Sequence, residues 1–248
     1  MYHHAGADRY SNSPELLDRQ FRYIRKRGIR TLLPGGDVSS GGNLCLVFDD
    51  AYFDFFQHVF PLLRKHDLCA VLAVPTGYVL EQTDRPAPVR LSVPHDETMD
   101  GNVYRTRAPF CTWKEIVKMV SSQRIAVAAH GHRHFAPDAH GLKAWHEDVL
   151  LARRTLQNRL GVRCDSLVLP HGLSPDPNDR NTVGAFSHVF GIGDRKYEDW
   201  PPPSEVILRF RGDEQPDPRS LVDAVLPRRS LRYRAGQVRR DIRGLFMG

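Results

Sequence analysis

The chain has 248 residues, 41% of them hydrophobic and 26% charged, which is the composition of a soluble globular protein large enough for one domain over residues 1–248. No apolar run approaches the roughly 18–20 residues that cross a bilayer, so a membrane-spanning helix is excluded. The formal net charge of +6 makes nucleic-acid binding an alternative function. The basic residues are scattered, however, and form no recognisable basic-aromatic module, so we expect no nucleic-acid partner.

The first half of the chain alternates predicted helices with predicted strands. Pro14 can begin a helix and Gly28 can end it, whereas Pro61 is expected to kink the second helix because proline removes a backbone donor. Short apolar runs after the helices are expected to be strands buried on both faces of a parallel sheet. In chain order, the predicted elements are a helix at 14–28, a loop at 35–43, a strand at 44–48, a helix at 52–66 and a strand at 68–74.

The second half continues this alternation after a polar segment. Residues 81–110 are rich in proline, aspartate and arginine, and they are predicted to form a long surface excursion. Thr112 can cap the next helix with Glu115 three residues later, and Gly161 can end the helix after that. The predicted elements are a helix at 112–123, a strand at 125–129, a helix at 141–160 and strands at 166–170 and 188–193. Residues 205–210 and the arginine-rich tail are harder to assign.

Alternating strands and helices predict an α/β fold with a mainly parallel sheet and right-handed crossovers. Polar residues follow three of the predicted strands directly, at Asp49-Asp50, at 130–134 and at His171. The active sites of α/β barrels and open sheets lie at the carboxyl ends of the strands. These carboxylates and imidazoles are therefore expected to meet at one rim.

The two polar motifs together have the composition of a metal site. Adjacent carboxylates such as Asp49 and Asp50 repel each other and need a cation or a proton nearby, and on an extended segment they point in different directions. His130 and His134 are four residues apart, so one helical turn would bring both imidazoles, common zinc ligands, to the same side. His132 is expected to point elsewhere. Taken singly, the motifs also allow a loop-capping aspartate pair and a merely polar loop.

Two histidines and one carboxylate would leave coordination positions for water and a substrate oxygen, as a catalytic metal requires. The metal would lower the pKa of bound water and polarise a carbonyl group. The aspartate of the pair that does not bind the metal would accept the proton of the water as a general base. The combined motifs therefore predict hydrolysis of an amide or an ester.

The chain resembles the polysaccharide deacetylases of the NodB-homology, carbohydrate esterase type. The stretch 47–51 is similar to their T-F-D-D-G motif, and 130–134 is similar to their H-S/T-x-x-H motif. The resemblance implies a distorted, incomplete (β/α) barrel in which Asp49 is the base and Asp50, His130 and His134 bind a divalent metal. That metal is expected to be zinc, with cobalt, nickel, manganese or iron as alternatives.

Departures from the family pattern concern the remaining catalytic groups. The family's R-P-P-Y segment is similar to 168–171 here, so its arginine is missing and His171 stands where the backbone N–H of its tyrosine helps to bind the oxyanion. No histidine follows His188, but Met1-Tyr2-His3 resembles the opening of a permuted exopolysaccharide-biosynthesis subgroup. This resemblance implies His3 as the general acid, with His171 as the fallback. Tyr2 and Arg209 are expected to bind substrate, and Arg209 is also the candidate for the missing arginine.

The leading hypothesis is metal-dependent removal of acetyl from an N-acetylated sugar or glycoconjugate during surface polysaccharide, O-antigen or glycolipid (including lipopolysaccharide) biosynthesis. A metal-dependent amidase for a small non-sugar amide and a non-catalytic carbohydrate-binding relative are the alternatives. The four cysteines lack CxxC spacing and are expected to be reduced packing residues. Residues 1–13 lack a basic-then-apolar signal pattern, so a cytoplasmic location is expected.

Overall fold

The computed structural model describes residues 1–7, 9–38, 42–136, 140–172, 183–193, 195–197, 206–215, 217, 219 and 222. The arginine pairs at 228–229 and 239–240 lie outside these residues. The expectation of a single domain over 1–248 stays a prediction.

The strands form two parallel sheets. The small sheet joins β1 (Arg30–Thr31) to β2 (Asn43–Leu44). The main sheet contains six parallel strands in chain order, which are β3 (Val47–Phe48), β4 (Ala70–Val74), β5 (Ile125–Ala129), β6 (Ser166–Val168), β7 (His188–Ile192) and β8 (Ile207–Arg209). The predicted strand at 44–48 is thus divided between the two sheets, and β8 lies in the stretch that sequence patterns did not assign.

The helices largely follow the predicted capping signals. They are α1 (Pro14–Lys26), α2 (Phe60–Lys65), α3 (Ala87–Leu91), α4 (Val103–Thr106), α5 (Trp113–Val120) and α6 (Leu142–Leu160). Thr112 and Glu115 form the expected capping box of α5, and Gly161 ends α6 in a left-handed conformation. Among the described residues, no helix is long and apolar enough to cross a membrane.

A π-helical turn precedes α2 at the place where Pro61 was expected to distort the helix. The turn spans Phe55–Val59, and the N–H of Phe60 donates to the carbonyl of Phe55. Pro61 then lies at the start of α2, directly after the π-helical turn, so the change of helical pitch coincides with the residue that has no backbone N–H to donate. The predicted single helix at 52–66 is therefore two helical segments of different pitch.

The main sheet is curled, and the amino-terminal residues connect its two edge strands. Tyr2 forms a parallel bridge with Phe48 of β3, donating from its N–H to the Val47 carbonyl at 2.9 Å. On the other side, the N–H of Gly212, just beyond β8, donates to the Met1 carbonyl at 2.7 Å. The sheet is buried on both faces, as its apolar runs predicted. The inner cluster consists of Val47, Val71, Ala73, Ala128, Val168, Phe190 and Ile207. The expected incomplete (β/α) barrel is confirmed.

Residues 81–110 form a largely exposed surface segment, as predicted, and a few buried residues attach it to the rim of the barrel. Arg90 is buried and makes two hydrogen bonds to Glu115 of α5, at 2.7 and 2.9 Å. The same guanidinium donates to the Phe110 carbonyl at 2.8 Å. These contacts attach the segment to the barrel and place His95 over the carboxyl ends of the strands. The polar composition of the segment reflects buried ion pairing as well as solvent exposure.

Candidate functional site

Three side chains from two strand ends converge at the rim of the barrel. Asp50 follows β3, and His130 follows β5 with His134 one short loop later. Asp50 Oδ1 lies 3.3 Å from His130 Nε2 and 3.5 Å from His134 Nε2. The two Nε2 atoms are 3.2 Å apart. The structure thus brings together the three residues that the motifs selected as metal ligands.

The protonation pattern of this triad suits a cation. His130 Nδ1 donates to the Val168 carbonyl at 2.8 Å, which leaves the lone pair of Nε2 directed at the triad. Burial, together with neighbouring His130, lowers the pKa of His134 to about 3 and keeps its imidazole neutral. Within the described part of the chain, Asp50 Oδ1 is buried without a hydrogen-bond partner. The donor atoms of Asp50, His130 and His134 lie within 4.8 Å of one another and could hold a divalent ion.

Several site residues have a left-handed backbone conformation that side chains other than glycine rarely adopt. The φ angles are 67° at Asp50, 51° at Ala51, 57° at His134 and 57° at His171. Such conformations are unfavourable and cluster where the surrounding structure holds functional side chains in place. The positive φ of Ala51 also explains why glycine is the residue that the family motif has at this position.

The loop between the two histidines is held by Asp148, a buried carboxylate of α6 that sequence analysis missed. Asp148 Oδ2 accepts a hydrogen bond from the His132 N–H at 2.7 Å, and Oδ1 accepts one from the Arg133 N–H at 2.9 Å. The His132 ring turns away from the triad, with Nδ1 2.9 Å from Thr76 Oγ1. A charged residue on the buried face of an amphipathic helix was the signal that could have identified Asp148.

We expect Gly131→Ala to destabilise the protein more than Gly161→Ala. Both glycines have left-handed backbones, which alone cost about 1 kcal/mol for alanine. A Cβ at position 131 would lie 2.6 Å from Asp148 Oδ2 and would displace the carboxylate, whereas a Cβ at position 161 meets no atom within 4 Å. The added loss should be about 1–3 kcal/mol, measured by urea denaturation of the two variants. Equal losses would contradict the tight packing of this loop.

Asp49, the second carboxylate of the pair, contacts Arg209 of β8. The guanidinium makes a two-point ion pair with it, Nη1–Oδ1 at 2.7 Å and Nη2–Oδ2 at 3.0 Å, and Arg209 Nε donates to the Gly191 carbonyl at 3.0 Å. Burial tends to raise the pKa of Asp49, but the charge of Arg209 and the nearby imidazoles outweigh it and leave the pKa lowered. Asp49 is therefore an ionised carboxylate.

His3 lies on the other side of Asp49 and is held by Asp213, which sequence analysis also missed. The His3 backbone N–H donates to Asp213 Oδ1 at 2.9 Å, and Nδ1 lies 2.6 Å from Oδ2. His3 Nε2 is 3.9 Å from Asp49 Oδ2. Burial opposes protonation of His3, but Asp213, Asp49 and Asp50 together raise its pKa. Asp213 has no motif around it, and a partner some two hundred positions away leaves no local signal.

The other expected site residues occupy different surroundings. The Tyr2 ring is buried and stacks on Phe48, with ring centroids 5.0 Å apart, so it packs in the core beneath the site. His171 is exposed at the end of β6, and its ring centroid lies 4.5 Å from that of His134. Arg209 is buried and pairs with Asp49. Its roles as the replacement for the missing family arginine and as a substrate-binding residue stay predictions.

A cavity of about 420 Å³ opens over these groups. Asp49, Asp50 and the metal-site histidines line it together with His3 and His171. The segment 81–110 adds His95 to the lining, and Tyr10 and Tyr52 contribute aromatic rings. One space large enough for a small ligand is thus lined by an ionised carboxylate, by an imidazole hydrogen-bonded to a second carboxylate, and by the candidate metal triad.

Comparisons with known proteins bear on the family and the fold of this chain. Residues 38–183 match the family model described as polysaccharide deacetylase. A poly-beta-1,6-N-acetyl-D-glucosamine N-deacetylase of Escherichia coli strain K12 is 30% identical over 122 residues, which are 46% of this chain and only 16% of that protein.

Solved structures share the fold at lower sequence identity. IcaB from Ammonifex degensii has a TM-score of 0.60 at 22% identity, covering 77% of this chain and 81% of that one. The Streptococcus pyogenes deacetylase PplD, in complex with acetate, has a TM-score of 0.67 at 18% identity, covering 92% and 96%. The curled parallel sheet with its surrounding helices is therefore the fold of known deacetylases.

Proposed function

Because this chain belongs to the polysaccharide deacetylase family, as its motifs indicated, we propose that it is a metal-dependent N-deacetylase. Its substrate would be an N-acetylated amino sugar in surface polysaccharide, O-antigen or glycolipid biosynthesis. The observation that carries this proposal is the Asp50, His130 and His134 triad, placed beside an ionised Asp49 in one cavity. The E. coli relative acts, by its name, on poly-beta-1,6-N-acetyl-D-glucosamine, which supports the same substrate class here.

Asp50, His130 and His134 would hold the divalent ion. Two imidazoles and one carboxylate favour zinc, and cobalt, nickel, manganese and iron accept the same ligands. When bound, the ion would polarise the acetamide carbonyl and make a water molecule more acidic.

The remaining groups would handle the protons. Asp49, ionised and oriented by Arg209, would accept the proton of the attacking water. His3, oriented by Asp213, would donate a proton to the departing sugar amine. The backbone N–H of His171 would stabilise the developing oxyanion, a role that does not depend on the side chain.

The experiment that tests the proposed function is acetate release from a β-1,6-linked N-acetylglucosamine pentamer, with added zinc or cobalt. Acetate release that stops with a chelator and returns with the metal is the expected result. N-Acetylated small amides are assayed in parallel to test the alternative of a non-sugar amidase. Faster acetate release from these amides than from the pentamer would favour that alternative. Metal binding with no release from any substrate would instead favour a carbohydrate-binding relative.

For His3, we expect the His3→Gln variant to lose about 10²–10⁴-fold in kcat while it keeps its metal. Glutamine can retain a hydrogen bond to Asp213, but it cannot transfer a proton to an amine. Metal content measured by mass spectrometry, alongside kcat, separates the two effects. A parallel fall in metal content and kcat would remove His3 from the role of general acid.

The ionised Asp49 favours a catalyst over a protein that only binds carbohydrate, because metal binding by the triad does not require this second carboxylate.

A location in the cytoplasm and the identity of the acetylated glycoconjugate stay predictions.

A further inference from the structure

The residues that follow His3 are attached to the barrel by a buried carboxylate that the proposed proton transfers do not use. Asp54 lies four residues beyond Asp50, at the start of the π-helical turn, and is only 7% exposed. Its Oδ2 accepts a hydrogen bond from the Ala5 N–H at 3.1 Å and lies 2.7 Å from His4 Nδ1. One oxygen of Asp54 thus contacts both the side chain and the backbone of the segment that carries His3.

This arrangement repeats the one that holds His3 itself. Asp213 accepts the His3 backbone N–H through Oδ1, and its Oδ2 lies 2.6 Å from His3 Nδ1. Asp213 follows β8, whereas Asp54 follows β3. The two carboxylates therefore attach neighbouring histidines, His3 and His4, to the opposite edge strands of the main sheet.

The backbone hydrogen bonds of His4 stay within its own stretch of chain. The His4 N–H donates to the Tyr10 carbonyl at 3.2 Å, and the His4 carbonyl accepts from the Asn12 N–H at 3.1 Å. These two bonds do not by themselves fix His4 relative to the catalytic aspartate. The Asp54 carboxylate does so, because it belongs to the same segment after β3 as Asp49.

The contacts of the His4 ring show that this attachment is closely packed. The ring stacks on Tyr52, with centroids 3.7 Å apart, and its Nε2 lies 3.1 Å from His95 Nδ1. Without the Asp54 carboxylate, the N–H of buried Ala5 would lose its acceptor and the His4 ring one of its partners. An unpaired donor in a buried place is unfavourable, so the segment is expected to shift toward another partner.

We propose that Asp54 is a positioning residue for the general acid, which holds residues 4 and 5 so that His3 Nε2 faces the cavity beside Asp49. The inference rests on the proposed deacetylase function and adds to it a residue that does not line the cavity. His3 Nε2 lies 3.9 Å from Asp49 Oδ2, and a displacement of about 1 Å at a reacting group can lower a rate about 100-fold.

The geometry at Asp54 also shows which substitution should be tolerated. Both contacts to the amino-terminal segment use Oδ2. Within the described residues, Oδ1 has no hydrogen-bond partner. Asparagine can therefore keep both contacts through its single oxygen, whereas alanine loses both.

The first test is the crystal structure of Asp54→Ala, which does not depend on activity. We expect the His3 ring to move by about 1 Å or more relative to Asp49, and we expect Asp54→Asn to keep it in place. Asp18→Ala is the matched control, because Asp18 Oδ1 also lies 2.7 Å from a partly buried histidine, His66, outside the cavity lining. An unmoved His3 ring in Asp54→Ala would overturn the inference.

The second test compares the β-1,6-linked pentamer with 4-nitrophenyl acetate, whose leaving group departs as an anion and needs no proton from His3. Asp54→Ala should lower kcat for the pentamer about 10–100-fold, with KM and metal content unchanged, and should lower ester hydrolysis much less. In a His3→Gln background, Asp54→Ala should cause no further loss, because it acts through His3. Asp54→Asn and Asp18→Ala should retain most of the wild-type kcat.

His4→Ala removes one of the two contacts and should show the same pattern with a smaller loss, so it carries both tests if Asp54→Ala does not fold. A further loss in the double variant, equal losses on both substrates, or an Asp54→Asn protein as impaired as Asp54→Ala would contradict the inference while the deacetylase proposal stands. If the wild type releases no acetate from the pentamer, the proposed function fails, and the place of the His3 ring in the variant structures still decides the role of Asp54.

Discussion

Replacing His134 with alanine is expected to remove the bound metal and the deacetylase activity together. The triad has three donor groups, and His134 Nε2 lies 3.2 Å from His130 Nε2 and 3.5 Å from Asp50 Oδ1. Loss of one imidazole leaves two ligands, fewer than a catalytic zinc site has. We therefore expect the metal affinity to fall by more than the roughly 10–100-fold that follows loss of an outer hydrogen-bond partner.

The purified protein is mixed with one equivalent of zinc and dialysed to remove unbound metal. Its metal content and its acetate release are then measured. His132→Ala is the matched control, since His132 lies in the same loop but faces Thr76. It should keep about one metal ion per chain. A His134→Ala protein that retains a full equivalent of zinc in this assay would rule out the triad as the metal site.

Replacing Asp49 with asparagine is expected to lower kcat about 10²–10⁴-fold with the metal retained. The carboxylate is ionised because Arg209 and the nearby imidazoles outweigh the effect of burial, and an amide of the same shape cannot accept a proton from water. Asparagine can still accept a hydrogen bond from Arg209, so the side chain should stay in place. The substitution thus removes the proposed base with little change in shape.

Steady-state kinetics and metal content measured on the same sample distinguish a base from a ligand. Asp67→Asn serves as the control, because Asp67 is an exposed carboxylate paired with Arg124 and has a left-handed backbone that asparagine tolerates. It should retain wild-type kcat. If Asp49→Asn lost its zinc, Asp49 would be a ligand, and full activity in that variant would exclude it as the base.

Much of the fold could be predicted because its signals are local. The apolar runs that form β4 and β5 are bounded by turn residues, and they are buried on both faces as their composition predicts. Thr112, Glu115 and Gly161 mark helix ends through contacts within one turn of the chain. The division of residues 44–48 between two sheets could not be predicted, since an apolar run does not show with which neighbouring strand each of its residues pairs.

The sequence alone determined which residues meet at the triad. Asp50 and His130 each follow a buried strand, and the carboxyl ends of parallel strands share one edge of the sheet whatever the details of packing. Only the tertiary structure decided which side chains hold them. Asp213 and Arg209 reach the site from segments with no motif, because a hydrogen bond between distant positions leaves no periodic pattern in either segment. Asp148 had a local signal, its place on the buried face of α6, but this signal did not show which loop it would hold. The curl of the sheet likewise placed His3 beside Asp49, a contact that depends on closure of the barrel by the amino-terminal residues.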